Sequence, residues 1–238
     1  MLVTNTTQKE DRVDSPEFKQ AWLVIPLYNE ATVIGDVVQK ALGTFPNIVC
    51  VDDGSTDSCG EIARKSGAWL VTHPINLGQG AALQTGIEFA LTQTNCEYIV
   101  TFDADGQHSV TDAAGMVTRL EKEPLDIVVG SRFLMDTSNV SPIKRIVLKM
   151  AISFERWRTG LKLTDAHNGL RALNRNAASQ INITQNRMAH ASEITSRISE
   201  LNLRYSEQPV TITYTDYSKG KGQSIWNSVN ILSELWMK

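Results

Sequence analysis

Short apolar segments alternate with helix-like segments from Ala21 onward, and this alternation constrains the fold more than any other feature of the sequence. The apolar segments are rich in β-branched residues, as expected of strands that are buried on both faces of a sheet. Alternation of strand and helix predicts an α/β fold with a mostly parallel sheet and right-handed crossovers. The predicted strands are AWLVIP (21–26), NIVCVDD (47–53), AWLVT (68–72), YIVTFDAD (98–105) and DIVVGS (126–131).

Polar residues stand at the carboxyl ends of three of these strands. In an open parallel sheet, ligands bind beyond the carboxyl ends of the strands, so these residues are predicted to face a ligand. They are Asn29 and Glu30, Asp52 and Asp53, and Asp103 and Asp105. The segments between the strands, which are predicted helices, lie at 29–43, 55–66, 78–93 and 111–123.

The alternation ends after Arg132, which indicates a specialised last third within a single domain. Residues 1–20 are polar and lack periodicity, so they are predicted to form a loose leader before one domain at 21–238. The predicted elements of the last third are helices at 143–158, 187–201 and 224–237 and a polar–apolar alternating strand at 208–216.

Composition and charge exclude several classes of protein. Lys and Arg number 23 against 26 Asp and Glu, and this mildly acidic balance argues against nucleic acid as a partner. No apolar run approaches the roughly 18–20 residues of a membrane span, and the N-terminus does not resemble a signal peptide. The cysteines are odd in number and form no CxxC pair, which predicts reduced, structural thiols in a cytoplasmic protein. They are Cys50, Cys59 and Cys96.

Two carboxylates, Asp103 and Asp105, stand in the segment FDADGQH (102–108) where a predicted strand ends. Held close together, they would repel, and one would take up a proton unless a divalent cation removed the conflict. Oxygen ligands favour Mg²⁺ or Mn²⁺, with a substrate diphosphate completing the coordination sphere. The alternative is a pair of solvated aspartates in a turn.

The segment VDDGSTD (51–57) reads as a strand, a tight turn at Gly54 and a helix cap. Capping does not readily explain two adjacent acids at the strand exit. Asp52 and Asp53 are therefore predicted to accept hydrogen bonds from a base N–H or from ribose hydroxyls.

The segment NLGQGAA (76–82) is rich in glycine and opens a predicted helix. Leu83 stands where the dinucleotide fingerprint GxGxxG requires its third glycine, and the segment follows the third strand instead of the first. A nicotinamide or flavin site is therefore not favoured. Gly80 is expected to allow close approach of the backbone either to a ligand or to a neighbouring strand.

In chain order, the motifs IPLYNE, VDDGSTD, NLGQGAA, DADGQH, GSRF and TDAHNGLRALNR resemble those of the family 2 glycosyltransferases. The resemblance is strongest to the dolichol-phosphate mannose synthase branch, which includes bacterial polyprenyl-phosphate sugar transferases. It covers about Ala21 to Arg175 and implies a GT-A fold, a nucleotide-diphosphate sugar donor, a divalent cation and inversion at the anomeric carbon. By this resemblance, residues 21–132 bind the donor and residues 133–238 form the acceptor side.

The resemblance also implies roles for individual residues. Arg132 and Arg171 fall on phosphate-handling positions, and Asp165 falls in the TD pair near the acceptor. The nucleotide-binding positions are Pro26, Tyr28, Glu30, Asp52 and Asp53, and the metal and diphosphate positions are Asp103, Asp105 and Gln107.

The acceptor decides whether a catalytic base is required. A polyprenyl phosphate brings an anionic oxygen and needs no strong base, whereas a sugar hydroxyl of a growing glycan must lose a proton. The candidates for that base are Asp165 and then Glu193, and the alternatives are a helix cap and a solvated helix residue. Arg132 is expected to stabilise the leaving diphosphate through a bidentate fork.

The loop YSKGKGQSIW (217–226) departs from the pattern of the branch, because Lys replaces an expected Arg and Ile225 replaces a final Lys. This departure weakens the case for a polyprenyl-phosphate acceptor at the cytoplasmic membrane face, which is still the favoured expectation, with a sugar hydroxyl of a growing glycan as the alternative. Lys219 is still expected to close over a diphosphate, with a solvated surface loop as the alternative.

The predicted helix at 143–158 combines an apolar stripe with a local charge of +4. Such a helix either packs on the core or docks reversibly on the inner face of an anionic membrane. Without a span of its own, the chain is also expected to use a small membrane protein partner.

The sequence also bears on two other classes of protein. A sugar-nucleotide pyrophosphorylase would need a glycine-rich basic loop after the first strand, where this chain has PLYNEATVIG. A non-catalytic nucleotide-sugar-binding regulator stays open as an alternative.

Overall fold

The computed structural model describes residues 18–134, 152–153, 156–187 and 189–213. In this part of the chain, the strands are β1 (Ala21–Leu27), β2 (Asn47–Asp52), β3 (Trp69–Thr72), β4 (Tyr98–Thr101), β5 (Ile127–Ser131), β6 (Arg171–Asn174) and β7 (Tyr205–Pro209). The helices are α1 (Ile34–Leu42), α2 (Cys59–Lys65), α3 (Gln79–Leu91), α4 (Val110–Lys122), α5 (Arg175–Gln180) and α6 (His190–Glu200).

The strands form one mixed sheet in the order β3-β2-β1-β4-β6-β5-β7. All the pairs are parallel except those of β6, which runs antiparallel to both β4 and β5. The α/β prediction is confirmed. The sequence reading missed β6, because its four residues are too few to show a periodicity.

Two hydrophobic clusters cover the two faces of the sheet, and successive residues of β1 alternate between them. Leu23 and Ile25 pack with α1, α2 and α4, whereas Trp22 and Val24 pack with α3, α5 and α6. This arrangement confirms that β1 is buried on both faces and explains its unbroken apolar sequence.

Three expectations about the elements were wrong. Strand β3 lies at the sheet edge with Trp69 57% exposed, so it is not buried on both faces. The last described strand is Tyr205–Pro209, where pairing with β5 sets its register, and residues 210–213 form no strand. Phe18 was placed in the loose leader, but it is buried and stacks on Phe45 with ring centroids 5.4 Å apart.

Other expectations were confirmed or lie outside the described residues. The three cysteines are free and buried, as predicted for structural thiols. Most of the predicted basic helix at 143–158, the loop that carries Lys219 and the predicted helix at 224–237 lie outside the described residues.

Gly86 lets helix α3 lie directly on strand β1. A Cβ atom at this position would overlap Cγ1 of Val24 and come within 3.2 Å of Cγ2 of Val51. We expect Gly86→Ala to destabilise the fold by about 1–3 kcal/mol, because overpacking outweighs the gain of about 1 kcal/mol in helix propensity. Urea unfolding monitored by circular dichroism measures the change.

Gly43→Ala is the matched control for this prediction. Gly43 has φ −61°, and the nearest atom to an added Cβ is the carbonyl oxygen of Lys40 at 3.9 Å. The control should be neutral or slightly stabilising. A Gly86→Ala protein as stable as wild type would contradict the close approach of α3 to the sheet.

Candidate active site

The loops that follow β1 and β2 are hydrogen-bonded to each other. The backbone N–H of Asn29 donates to Oγ of Ser55 (3.1 Å), and its side-chain Oδ1 accepts from the backbone N–H of Thr56 (2.9 Å). Oδ2 of Asp57 accepts from the backbone N–H of Ala31 (3.0 Å). Asn29 has φ 56°, a left-handed conformation that asparagine tolerates better than most residues. These contacts hold both loops in fixed positions at the carboxyl ends of the parallel strands.

Asp103 follows β4 at the same end of the sheet and is held from three directions. Its Oδ1 accepts from Nε2 of Gln79 (3.2 Å), and its Oδ2 lies 2.8 Å from Nε2 of His108. A Cβ atom added to Gly169 would lie 2.5 Å from Oδ2, so the backbone there leaves room only for a glycine. The carboxylate is therefore oriented by its surroundings, although its side chain stays 32% exposed.

Asp105 lies close to other acidic side chains. Burial raises its pKa, and the nearby carboxylates of Asp103 and Glu30 raise the pKa further. For Asp103, burial raises the pKa, but the charges and hydrogen bond of His108 together with Arg171 outweigh it and leave the pKa below its usual value. A divalent cation would relieve the repulsion at Asp105 and keep both carboxylates ionised.

The donor set fits Mg²⁺ or Mn²⁺, which take carboxylate oxygens and complete their coordination with substrate phosphates. Among the described residues, no three His, Cys, Asp or Glu side chains are grouped as metal ligands. Gln107 is anchored through its backbone, which donates to Oδ1 of Asp105 (3.0 Å) and accepts from Thr213 (3.0 Å). Metal binding by Asp103, Asp105 and Gln107 stays a prediction.

Asp52 and Asp53 both accept hydrogen bonds from nearby backbone N–H groups. Oδ1 of Asp52 accepts from the N–H of Ser55 (3.0 Å). The carboxylate of Asp53, 3% exposed, accepts from the N–H groups of Leu77 (2.9 Å) and Gly78 (2.7 Å). These contacts favour a structural role for Asp53 over the predicted contact with a nucleotide. Pro26 and Glu30 are half-buried, and Tyr28 is 48% exposed.

Gly80 approaches a neighbouring loop of the protein. Its N–H donates to the carbonyl of Asn186 (2.8 Å), and a Cβ atom there would overlap the carbonyl oxygen of Gln185. This contact accounts for the glycine without a ligand, so a donor-binding role for Gly80 stays a prediction.

Arg132 and Asp165 form a bidentate ion pair on the other side of the site. Nε and Nη2 of Arg132 donate to Oδ2 (2.7 Å) and Oδ1 (2.8 Å) of Asp165, and the backbone N–H of Arg132 adds a third bond (3.0 Å). Asp165 is 2% exposed. Burial raises its pKa, but the hydrogen bonds and charge of Arg132 lower it more, to a net value below normal. A carboxylate with a lowered pKa is a weak proton acceptor.

Glu207 on β7 orients the loop that carries Asp165, and the sequence reading missed it. Its Oε1 accepts from the N–H groups of Thr164 (2.7 Å) and Asp165 (3.1 Å). Thr164 also shares a hydrogen bond of 2.6 Å with Ser131 at the end of β5. No local pattern could reveal this link, because 42 residues separate Asp165 from Glu207 along the chain.

Arg171 is buried, with 1% of its surface exposed, so the predicted direct contact with a phosphate does not fit its position. Nη2 donates to the carbonyl of Ala166 (3.2 Å), and Nε and Nη1 have no hydrogen-bond partner within the described chain. Burial lowers its pKa to about 10, against the opposing charges of Asp103 and Asp165. Arg171 is a buried positive charge that is influenced by both acids.

Glu193 holds a loop. Its oxygens accept from the N–H groups of Thr184 (2.9 Å) and Gln185 (2.8 Å) and from Oγ1 of Thr184 (2.6 Å). These contacts favour a structural role over the predicted role as a catalytic base. They hold the loop against which Gly80 packs.

Known proteins share the sequence pattern and the architecture of this chain. Residues 22–181 match the model of glycosyl transferase family 2. A glucosyl-3-phosphoglycerate synthase from Mycobacterium tuberculosis superimposes with a TM-score of 0.67 at 18% identity, covering 83% of this chain and 72% of that one.

The similar sequences include proteins named for lipid-phosphate acceptors. An uncharacterized protein of Methanocaldococcus jannaschii is 34% identical over 226 residues, 92% of each chain. The UDP-N-acetylglucosamine–dolichyl-phosphate N-acetylglucosaminyltransferase of Methanococcus voltae is 29% identical over 92% of this chain and 96% of that protein. The polyprenol monophosphomannose synthase of Mycolicibacterium smegmatis is 26% identical over 89% and 83%, respectively. The chain therefore belongs to glycosyl transferase family 2 and is a glycosyltransferase with the GT-A fold.

Proposed function

We propose that this enzyme transfers a sugar from a nucleotide-diphosphate sugar to a polyprenyl phosphate at the cytoplasmic face of the membrane. Transfer inverts the anomeric carbon and uses Mg²⁺ or Mn²⁺. One observation carries the proposal: Asn168 donates to Oδ2 of Asp165 (3.3 Å), and the next residue, Gly169, packs against Asp103. The acidic cluster of Asp103 and Asp105, which suits a cation and diphosphate, therefore adjoins the Arg132–Asp165 pair. The names of two relatives, which refer to dolichyl phosphate and to a polyprenol monophosphate sugar, support the acceptor.

The donor end of the site is built from the loops after β1, β2 and β4. Asp103 and Asp105, with Gln107, would hold the cation, which supplies positive charge to the departing diphosphate when bound. A nucleotide base would stack on the ring of Tyr28, which is 48% exposed. A related structure of the mycobacterial synthase contains Mn²⁺ and UDP-glucose, which agrees with such a donor site.

The acceptor end is built around Arg132. The Nε–Nη2 edge of its guanidinium, which was predicted to form a fork on the leaving diphosphate, is occupied by Asp165 instead. The side chain is 26% exposed, which places Arg132 where an acceptor phosphate could approach it. A polyprenyl phosphate brings its own anionic oxygen and needs no base. A buried, arginine-paired Asp165 therefore favours a lipid phosphate over a sugar hydroxyl, which would require Asp165 to accept a proton.

A two-step experiment tests this function. A thermal-shift screen of UDP, GDP and dTDP sugars, each with and without Mn²⁺, identifies the donor, because a bound ligand stabilises the folded state. Transfer is then assayed on polyprenyl phosphate and on an oligosaccharide acceptor. Metal-dependent product on the lipid phosphate supports the proposal, and product on the oligosaccharide alone refutes this acceptor. A bound sugar nucleotide with no transfer or hydrolysis would support the regulator alternative.

Membrane docking is part of the proposal. Among the described residues, no helix is long and apolar enough to cross a membrane. Trp157 is 81% exposed, and residues 156–162 (RWRTGLK) carry three cations and no acid. Arg158 fixes this segment to α6 through Oγ of Ser196 (2.6 Å) and the carbonyl of Ser192 (2.9 Å). An exposed tryptophan among cations suits the interface of an anionic bilayer.

We expect Trp157→Ala to weaken binding to vesicles of phosphatidylcholine with phosphatidylglycerol by about tenfold, because a large aromatic ring no longer enters the interface. Vesicle co-sedimentation at low and high salt measures the change. Trp69→Ala on edge strand β3 is the matched control and should bind as wild type. Equal binding by wild type and Trp157→Ala would contradict docking through this segment and leave a membrane protein partner as the route.

A further inference from the structure

His73 has no role in the proposed chemistry, yet it is buried next to the donor loops. It follows β3, and its side chain is 10% exposed. Nδ1 lies 2.7 Å from Oδ1 of Asp53, and Nε2 lies 3.0 Å from Oγ1 of Thr85. An ionised carboxylate can only accept, so Nδ1 carries the hydrogen and donates to Asp53. Nε2 shares its hydrogen bond with the hydroxyl of Thr85, which can donate or accept.

Asp53, the partner of His73, is also hydrogen-bonded to the backbone that leads into α3. Its Oδ1 also accepts from the N–H of Leu77 (2.9 Å), and its Oδ2 accepts from the N–H of Gly78 (2.7 Å). Gly78 is the residue before the first turn of α3 and has φ 103°. Three donors on one buried carboxylate therefore determine where the helix begins.

The first residue of α3 reaches the acidic cluster. Nε2 of Gln79 donates to Oδ1 of Asp103 at 3.2 Å. A continuous series of hydrogen bonds and backbone thus runs from His73 through Asp53 and Gly78 to Gln79 and Asp103. A shift of the helix start would change the orientation of the Asp103 carboxylate.

We propose that His73 is a positioning residue for the donor site, acting through Asp53 and the backbone amides of Leu77 and Gly78 to hold Gln79 against Asp103. The inference rests on the proposed function in one respect, the role of Asp103 in holding a cation and diphosphate. Contacts of this kind, made by residues that do not themselves bind the metal, orient metal-ligating carboxylates and affect the affinity for the metal.

Two substitutions of His73 separate positioning from simple packing. The amide nitrogen of asparagine takes the place of Nδ1, so His73→Asn keeps the donor to Asp53. The amide nitrogen of glutamine takes the place of Nε2, so His73→Gln loses that donor. Hydrogen exchange of the Leu77 and Gly78 amides should be about ten- to hundredfold faster in His73→Gln and close to wild type in His73→Asn.

A second measurement reports on the site itself. Mn²⁺ alone, titrated by electron paramagnetic resonance, should bind about tenfold more weakly to His73→Gln than to wild type or His73→Asn. With the nucleotide sugar found in the screen, KM should rise by a similar factor while kcat changes little, because the contact acts equally on bound substrate and transition state. Asn95→Ala, which removes hydrogen bonds to Trp22 and Lys19 at the other end of the sheet, is the control.

The outcomes are distinguishable. Faster amide exchange with weaker Mn²⁺ binding in His73→Gln, and recovery of both in His73→Asn, supports the inference. Wild-type amide exchange in His73→Gln overturns it, as does faster exchange with unchanged Mn²⁺ binding, which would make His73 merely structural. If wild type binds no Mn²⁺ and transfers no sugar, the proposed function fails. The exchange rates alone then decide whether His73 holds the loop.

Discussion

Asp103→Asn is expected to lower sugar transfer by about a thousandfold while the protein still folds. The substitution keeps the size of the side chain but removes the negative charge that would hold the cation against the diphosphate, and such stabilisation amounts to several kcal/mol. Initial rates at saturating donor and a range of Mn²⁺ concentrations measure the loss. A thermal melt confirms that the fold survives.

Asp36→Asn is the matched control for this substitution. Asp36 is an exposed acid in the first turn of α1, so its loss should change the rate less than twofold and the stability by less than about 1 kcal/mol. Transfer by Asp103→Asn at the wild-type rate, or by wild type in excess chelator, would refute the assignment of the cation to this carboxylate.

Arg132→Met is expected to lower transfer by about a hundredfold or more. It removes the guanidinium that we propose binds the acceptor phosphate, and it leaves Asp165 buried without its arginine partner. Asp165→Asn should cost nearly as much if its work is to hold Arg132. The double variant should then be no slower than Arg132→Met, because residues that act as a unit are not additive.

The same cycle tests the acceptor. If Asp165 were the base for a sugar hydroxyl, its loss would lower the rate further in the Arg132→Met background. The pH dependence gives a separate check, which tests the ion pair and not the acceptor. The pKa of Asp165 is lowered, so the pair contributes stability above the usual aspartate pKa and loses it as pH falls through the lowered value. We therefore expect no change in rate from this group between about pH 5 and pH 8.

Much of the fold was predictable because its causes are local. A strand buried on both faces must be apolar at nearly every position, and β1 shows this with Val24 and Ile25 both 0% exposed. The edge strand β3 resembles β1 in composition but lacks a second neighbour, so composition alone could not place Trp69 at the surface. The antiparallel β6 is too short to carry a pattern and is defined by its pairing with β4 and β5.

The candidate site was predictable to a lesser extent. The positions of Asp103 and Asp105 follow from the rule that parallel strands present their carboxyl ends to a ligand. That rule does not predict which residues are hydrogen-bonded to each carboxylate. His73 meets Asp53 over 20 residues of chain, and Glu207 meets Asp165 over 42.

The sequence by itself determined the α/β class and the edge of the sheet at which the acids gather, since both depend on periodicity and strand order. Only the tertiary structure decided which acids are engaged by protein groups and which face the site. It buried Arg171 near the carboxylates of Asp103 and Asp165, satisfied Asp53 with backbone amides and paired Asp165 with Arg132. The physical reason is that hydrogen bonding and burial depend on residues that are distant in sequence. A local sequence pattern carries no information about which distant residues will meet.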